Sequence, residues 1–227
     1  MIPLYAGFDD REEVGFHTFT SSVIHRASLP TQIIPLHLPM LKGYTAGARD
    51  GTNAFIYSRF LIPWLQGYRG HAIFMDGADM VMNADIADLW KLRDVFKAVQ
   101  VVKHDYQTKH PRKYVGTRME AENSSYRCKN WSSVMLINCA HYSWRQITPE
   151  TVGKMSGSDL HSFSFIQDRF VGDLPKEWNW LADEYGENNE AKVIHYTAGI
   201  PGFPHYKDTP MASRWFRANK QITYAID

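Results

Sequence analysis

Residues 71–90, HAIFMDGADMVMNADIADLW, set two carboxylates between two apolar runs. The run 71–75 reads as a strand and stops at Asp76-Gly77-Ala78-Asp79, and Met80-Val81-Met82 resumes at once. Carboxylates enclosed by apolar strand are costly unless paired or bound to a cation. Gly77 lets the backbone turn tightly between them. One or two carboxylates, with a substrate phosphate completing the shell, are a usual way to hold Mg²⁺ or Mn²⁺. The plainer alternative is a β-turn with Asp as turn former.

Around this segment, strands and helices alternate. Residues 2–7 read as a buried strand that runs into Asp9-Asp10, and 12–26 as a helix with acids in its first turn and His25-Arg26 at its end. Further strands are expected at 31–38, 98–104, 134–139 and 193–196, and a helix at 54–66 despite Pro63. The pattern implies one α/β domain over 1–227, with parallel strands and helices on both faces of the sheet. Ligands of such sheets bind outside the carboxyl ends of the strands. Asp9-Asp10, Asp76 with Asp79, and His195 all follow strands in that way. The polar, aperiodic stretch 107–130 reads as a long loop of the kind that forms lids. Neither GxGxxG nor GxxxxGK[ST] follows a strand, which excludes a dinucleotide fingerprint and a P-loop.

A net charge of +1 gives no global field toward nucleic acid or an acidic membrane. Locally, Lys103, Lys109, Arg112, Lys113 and Arg118 form a basic stretch, read as a solvated loop with polyanion contact as the alternative. Ser213-Arg214-Trp215-Phe216-Arg217 reads as a packed terminal helix, with peripheral membrane contact as its alternative. The start MIPLYAGFDD lacks the pattern of a signal peptide, and no apolar run approaches eighteen residues. Cys128 and Cys139 read as reduced thiols, so a cytoplasmic location is expected.

Arg59, on the apolar segment before the acidic turn, needs a carboxylate or phosphate partner. Tyr57-Ser58-Arg59, Ile73-Phe74-Met75-Asp76 through Asp79, and Ala87-Asp88-Leu89-Trp90 together resemble the retaining family-eight glycosyltransferases. Further matches keep the family's order: Tyr5 to Asp10, Val134 to Asn138, Gln167-Asp168, Leu174-Pro175 through Trp178-Asn179, and His195-Tyr196-Thr197 with Gly199 and Pro201. The resemblance implies the GT-A fold, a Rossmann-like mixed sheet flanked by helices. Its nucleotide-binding half would span about 1–105 and its acceptor half, with the metal histidine, about 106–227. It also implies transfer of a hexose from a UDP-sugar, with retention, to an acceptor such as a surface glycan. A modified base in phage DNA, or binding of a nucleotide-sugar without transfer, is the alternative.

In that resemblance Asp79 and His195 hold Mn²⁺ or Mg²⁺, and Asp76 is a third ligand or a bridge to ribose. Asp9, or else Asp10, accepts from uracil. Arg59 holds the diphosphate or orients the acids, Gly77, Ser132 and Ser133 border the donor, and Gln167 and Asp168 face the sugar. Three departures stand out. The family's Asp-x-Asp is Asp76-x-x-Asp79 here, its Asn-Ala-Gly is Trp131-Ser132-Ser133, and Ile200-Pro201-Gly202-Phe203 lacks its diphosphate lysine. Lys129 or Arg59 would have to replace that cation. The pattern suggests a compact, divergent branch such as bacterial surface-polysaccharide and phage genomes carry.

Overall fold

A computed structural model describes residues 1–44 and 53–222. Strand β1 (Ile2–Phe8) is apolar almost without a break and is covered on both faces, which suits the interior of a sheet with layers on either side. Asp9 caps a 3-10 turn at Asp10–Glu12 by accepting from the Arg11 N–H, and α1 (Glu13–Ile24) follows. It leads to β2 (Thr31–His37), parallel to β1. Residues 54–66, expected as one helix, instead form turns, a 3-10 segment at Ser58–Leu61 and a single turn of α-helix, α2 (Ile62–Leu65). Pro63 has no N–H to give and fits only a first helical turn, so the α-helix begins there instead of passing through.

Next come β3 (His71–Met75), β4 (Met80–Met82), α3 (Ile86–Lys91) and β5 (Val99–Val101). The stretch 107–130, expected as a plain loop, carries a small hairpin of β6 (Arg112–Lys113) and β7 (Ala121–Glu122). After it run β8 (Val134–Asn138), α4 (Pro149–Lys154), α5 (Gly157–His161) and β9 (Val171–Asp173). The chain then forms β10 (Trp180–Leu181), α6 (Ala182–Tyr185), β11 (Val193–His195) and α7 (Ala212–Lys220).

The main sheet has the order β2-β1-β3-β8-β5-β9. It is mixed, not parallel throughout, because β8 runs antiparallel to both β3 and β5. After β5 the chain stays at the sheet end where that strand finished, and re-entry from the same end gives an antiparallel neighbour. Alternation along the strands divides the core. Leu4, Ala6, Ile73, Met75, Val134 and Leu136 pack with Phe16 and Phe19 of α1. Tyr5, Phe74, Met135 and Ile137 pack on the opposite face with Phe55, Phe60 and Trp144.

A second sheet, β10-β11-β4, packs against α7 through Ile194, Tyr196, Trp215 and Ala218. The Ser213 to Arg217 stretch is therefore a packed terminal helix, as expected. Among the described residues no helix is long and apolar enough to cross a membrane. Cys128 and Cys139 are free and buried.

The acidic turn joins the two sheets. The Asp76 N–H, just past β3, donates to the Ser133 carbonyl at 2.9 Å, and the Tyr196 N–H donates to the Asp79 carbonyl at 2.9 Å just before β4. Gly77 between them has φ +75°, a conformation that favours glycine. Helix α1 lies so close that a Cβ on Gly15 would stand 1.9 Å from the Ala78 carbonyl oxygen. Gly15→Ala is expected to force α1 off the turn and lower stability by about 2 kcal/mol or more, read as an earlier midpoint in urea.

Candidate functional site

Each side chain of the acidic turn is held by a different part of the fold. Arg59 is buried, with its guanidinium over the rings of Phe74 (4.9 Å) and Phe55 (5.4 Å). Its Nη1 stands 2.5 Å from Asp76 Oδ1, while its N–H is directed to the Ser132 carbonyl at 3.0 Å. The contact with Asp76 is thus an ion pair, and Asp76 Oδ1 accepts no hydrogen bond. His195, at the end of β11, places Nε2 at 3.2 Å from Asp79 Oδ2. Asp79 Oδ1 also accepts no hydrogen bond.

Asn179 fixes the imidazole. Its amide NH₂ donates to the Asn130 carbonyl at 3.0 Å and to Ser133 Oγ at 2.8 Å. Its Oδ1 is therefore turned to His195 Nδ1, at 2.9 Å. That nitrogen must carry a proton to donate, which leaves the Nε2 lone pair of a neutral ring for a cation. One ligand atom from each of Asp76, Asp79 and His195 lies within 4.8 Å of the other two. An Asp79 oxygen without a hydrogen bond, the ion-paired carboxylate of Asp76 and an oriented imidazole fit the hard-cation donor set of Mn²⁺ or Mg²⁺.

The electrostatics point the same way. Burial raises the Asp76 carboxyl to about 6 against the pull of Arg59, and the Asp79 charge adds to the rise. Burial opposes charging of His195, but Asp79 and Asp76 outweigh it and hold the imidazole above its ordinary value. Glu12 is buried nearby with neither oxygen hydrogen-bonded. Burial pushes its carboxyl well above the usual range, and the charges of Asp79, Asp9 and Asp76 push it further. Three buried acids thus face Arg59 and Lys113, a balance that one more cation would improve.

The cavity over this cluster measures about 70 Å³, and Lys113, Ser132, Ser133 and His161 line it together with Arg59, Asp76, Asp79 and His195. Two wider clefts of about 590 and 580 Å³ share Tyr126 with it. The structure therefore gathers Arg59, Asp76, Asp79, Ser132, Ser133 and His195 as the sequence suggested, with Gly77 in the turn.

Others stand apart. Asp9 is buried, and four hydrogen bonds from Arg11 and the Ala54 N–H engage both of its oxygens. Asp10 is exposed, 3.4 Å from His37. Gln167 and Asp168 are exposed ahead of edge strand β9 and do not line the cavity. Lys129 borders the neighbouring clefts, with its ammonium engaged by Asn123 Oδ1 and the Ser124 carbonyl, both at 2.6 Å.

The cavity's second cation, beside Arg59, is Lys113, expected from the sequence in a solvated loop. Tyr114, next to it, donates its N–H to the Ala198 carbonyl at 2.6 Å. The hairpin thereby brings Lys113 beside the segment after β11, where the resemblance puts its lysine. That segment cannot supply one from its own residues, because Ile200 is buried and Gly202 lies against Trp215. The other basic residues of 103–118 do not form a stripe. Lys103 pairs with Asp173 at 3.0 Å, Lys109 donates to the Glu184 carbonyl at 2.7 Å, and Arg112 pairs with Glu120 at 2.7 Å.

Over 222 residues the chain is 35% identical to Protein CDI of Arabidopsis thaliana, a match covering 93% of this chain and 83% of that protein. The chain belongs to the Protein CDI family. That relative is a plant protein, which widens the bacterial and phage range suggested by the sequence. No family model matches the chain.

Solved structures give this CDI-family chain its fold. The bifunctional glycosyltransferase WbbM superposes with a TM-score of 0.67 at 14% identity, covering 96% of this chain and 49% of that one. The glycosyltransferase GlyE of Streptococcus pneumoniae TIGR4 gives 0.60 at 11%, covering all 100% of this chain and 60% of GlyE. The galactosyltransferase LgtC, solved with donor and acceptor sugar analogues, gives 0.57 at 13%, covering 100% of this chain and 98% of LgtC. The chain thus spans about half of WbbM (49%) and under two thirds of GlyE (60%). The fold is GT-A, a Rossmann-like mixed sheet flanked by helices, as expected.

Glu12 gives a stability test with a definite sign. A raised carboxyl keeps its proton in the folded chain after the unfolded chain has released it. Its contribution is complete at acid pH and is lost as pH rises past the ordinary glutamate value toward the raised one. Glu12→Gln cannot ionise. In EDTA it is expected to melt above the wild type at pH 8, with the gap closing near pH ~4; melting curves at the two pH values check this.

Proposed function

We propose that the chain is a metal-dependent glycosyltransferase that takes a hexose from a UDP-sugar, with retention, and passes it to a glycan acceptor in the cytoplasm. The observation that supports this most is the buried Asp76, Asp79 and His195 cluster, whose Asp79 Oδ1 accepts no hydrogen bond, in the cleft of a GT-A fold. Asp79 and His195 would hold Mn²⁺ or Mg²⁺, with Asp76 as third ligand or as a bridge to ribose. When bound, the ion supplies positive charge beside the leaving diphosphate.

The remaining chemistry belongs to the chain. Breaking the bond to the anomeric carbon gives an oxocarbenium-like transition state, and negative charge gathers on the diphosphate. Lys113 and Arg59, which both line the cavity, would stabilise that charge as it develops. Ser132 and Ser133 border the donor. Asp9 is committed to Arg11 and Ala54, so uracil would meet the nearby backbone or displace those partners. Gln167 and Asp168 would face the sugar; they lie outside the lining of the small cavity, and the second reading is that a nucleotide-sugar is bound but not transferred.

Hydrolysis of a UDP-sugar panel, with and without Mn²⁺, separates the two. The transferase reading expects metal-dependent release of UDP from at least one sugar. Asp79→Ala is expected to cut that rate on the order of 100- to 1000-fold while the fold persists. Lys113→Ala is expected to weaken UDP binding more than it weakens uridine binding. Metal-dependent binding with no turnover would support the second reading, and the absence of any nucleotide-sugar binding would overturn both.

A further inference from the structure

We propose that His161, steadied by Ser132, recognises the transferred sugar through a hydrogen bond to one of its hydroxyls. This rests on the glycosyltransferase reading and names a residue that neither the sequence pattern nor the cluster assigns. His161 closes α5 and lines both the cavity over the acidic turn and an adjoining cleft of about 420 Å³. Its Nδ1 lies 2.7 Å from Ser132 Oγ. The Ser132 carbonyl in turn takes the Arg59 N–H, and Arg59 pairs with Asp76, so the imidazole belongs to one connected network with the cluster.

The other ring nitrogen decides the chemistry. Nε2 is buried and has no hydrogen-bond partner, a condition that native structures relieve with a ligand or water. The ring cannot readily turn away, because Phe60 meets it edge-on at 5.4 Å and Tyr57 lies tilted against it at 6.0 Å. It is also neutral: burial, and then the charges of Arg59 and Lys113, lower its pKa to about 3. A neutral imidazole suits neither the diphosphate, which has two cations waiting, nor the ion, whose cluster among the described residues is Asp76, Asp79 and His195.

A neutral ring offers one donor and one acceptor. If the Ser132 hydroxyl donates to Nδ1, then Nε2 carries the proton; if it accepts, Nε2 offers its lone pair. A hydroxyl group satisfies either state, whereas a carboxylate or an ammonium satisfies only one. Tyr126, half exposed, borders both cavities and gives an aromatic face to the same ligand. A hydroxyl-rich ring between an aromatic face and a neutral imidazole is the ligand these groups suit.

The test is calorimetric binding of UDP, UDP-glucose and UDP-galactose in Mn²⁺ to wild type, His161→Phe and Ser132→Ala. Wild type is expected to bind one UDP-hexose more tightly than UDP. His161→Phe should lose about tenfold in affinity for that sugar nucleotide and leave UDP affinity within about twofold, which also shows that the variant is folded. Ser132→Ala should lose less in the same direction. Should His161→Phe not fold, single-deoxy analogues of the bound UDP-hexose replace it: one of them should cost wild type about tenfold and cost Ser132→Ala less. Unchanged sugar affinity, equal loss for UDP and UDP-hexose, or no deoxy position that matters would overturn the assignment while the transferase reading stands. Wild type binding no UDP compound at all would overturn the transferase reading and this assignment with it.

Discussion

The structure depends on burying two carboxylates at the point where the chain passes from one sheet to the other. Asp76 ends the central strand of the main sheet, and Asp79 opens the strand that joins the second. Removing each charge from water costs several kcal/mol unless partners answer it. Arg59 answers Asp76, and His195 Nε2 stands 3.2 Å from Asp79. The partners come from distant parts of the chain, so closing the turn draws the segment before β3 and the end of β11 to one spot. The same turn needs Gly77 for its backbone and Gly15 for its helix. A site and a fold junction are here the same few residues.

That coupling leaves the site electrostatically incomplete. One oxygen of Asp76, one of Asp79 and both of Glu12 have no hydrogen-bond donor. Lys113 enters from a hairpin that the main core does not require. A divalent ion adds two positive charges, and a diphosphate returns negative charge to Lys113 and Arg59. In the proposed reading, an ion and a diphosphate would therefore complement the cavity better together than either alone.

The apolar strands, the acidic turn and His195 are legible in the sequence because the turn and the histidine set polar groups in runs that are otherwise apolar. The mixed order of the sheet is not, since strand direction at β8 depends on where a 24-residue polar stretch, 107–130, lets the chain re-enter. The inward turn of Lys113 and Glu12 is hidden for a related reason. A lysine in a basic loop and a glutamate in a first helical turn both have sufficient local explanations, and only tertiary packing turns them inward. His161 had no local signal, because nothing in Ser158-Asp159-Leu160-His161 says which neighbour the ring will meet. Gln167-Asp168 match the motif, and the edge position of β9 sets them outside the lining of that cavity.

Asn179 shows how much of the site is settled before any ligand arrives. Its two donors are taken by the Asn130 carbonyl and Ser133 Oγ, so its oxygen has one direction left and the His195 tautomer follows. Asn130 itself is left-handed, at φ +62°, and starts the 3-10 turn that presents Ser132 and Ser133. The Ser133 carbonyl then receives the Asp76 N–H. One backbone turn thus orients an imidazole, a carboxylate strand and, through Ser132, both Arg59 and His161. The Trp131-Ser132-Ser133 departure from the glycosyltransferase pattern that the sequence resembles therefore falls at the hub of the site. It sets two hydroxyls there, whose partners are Asn179 and His161.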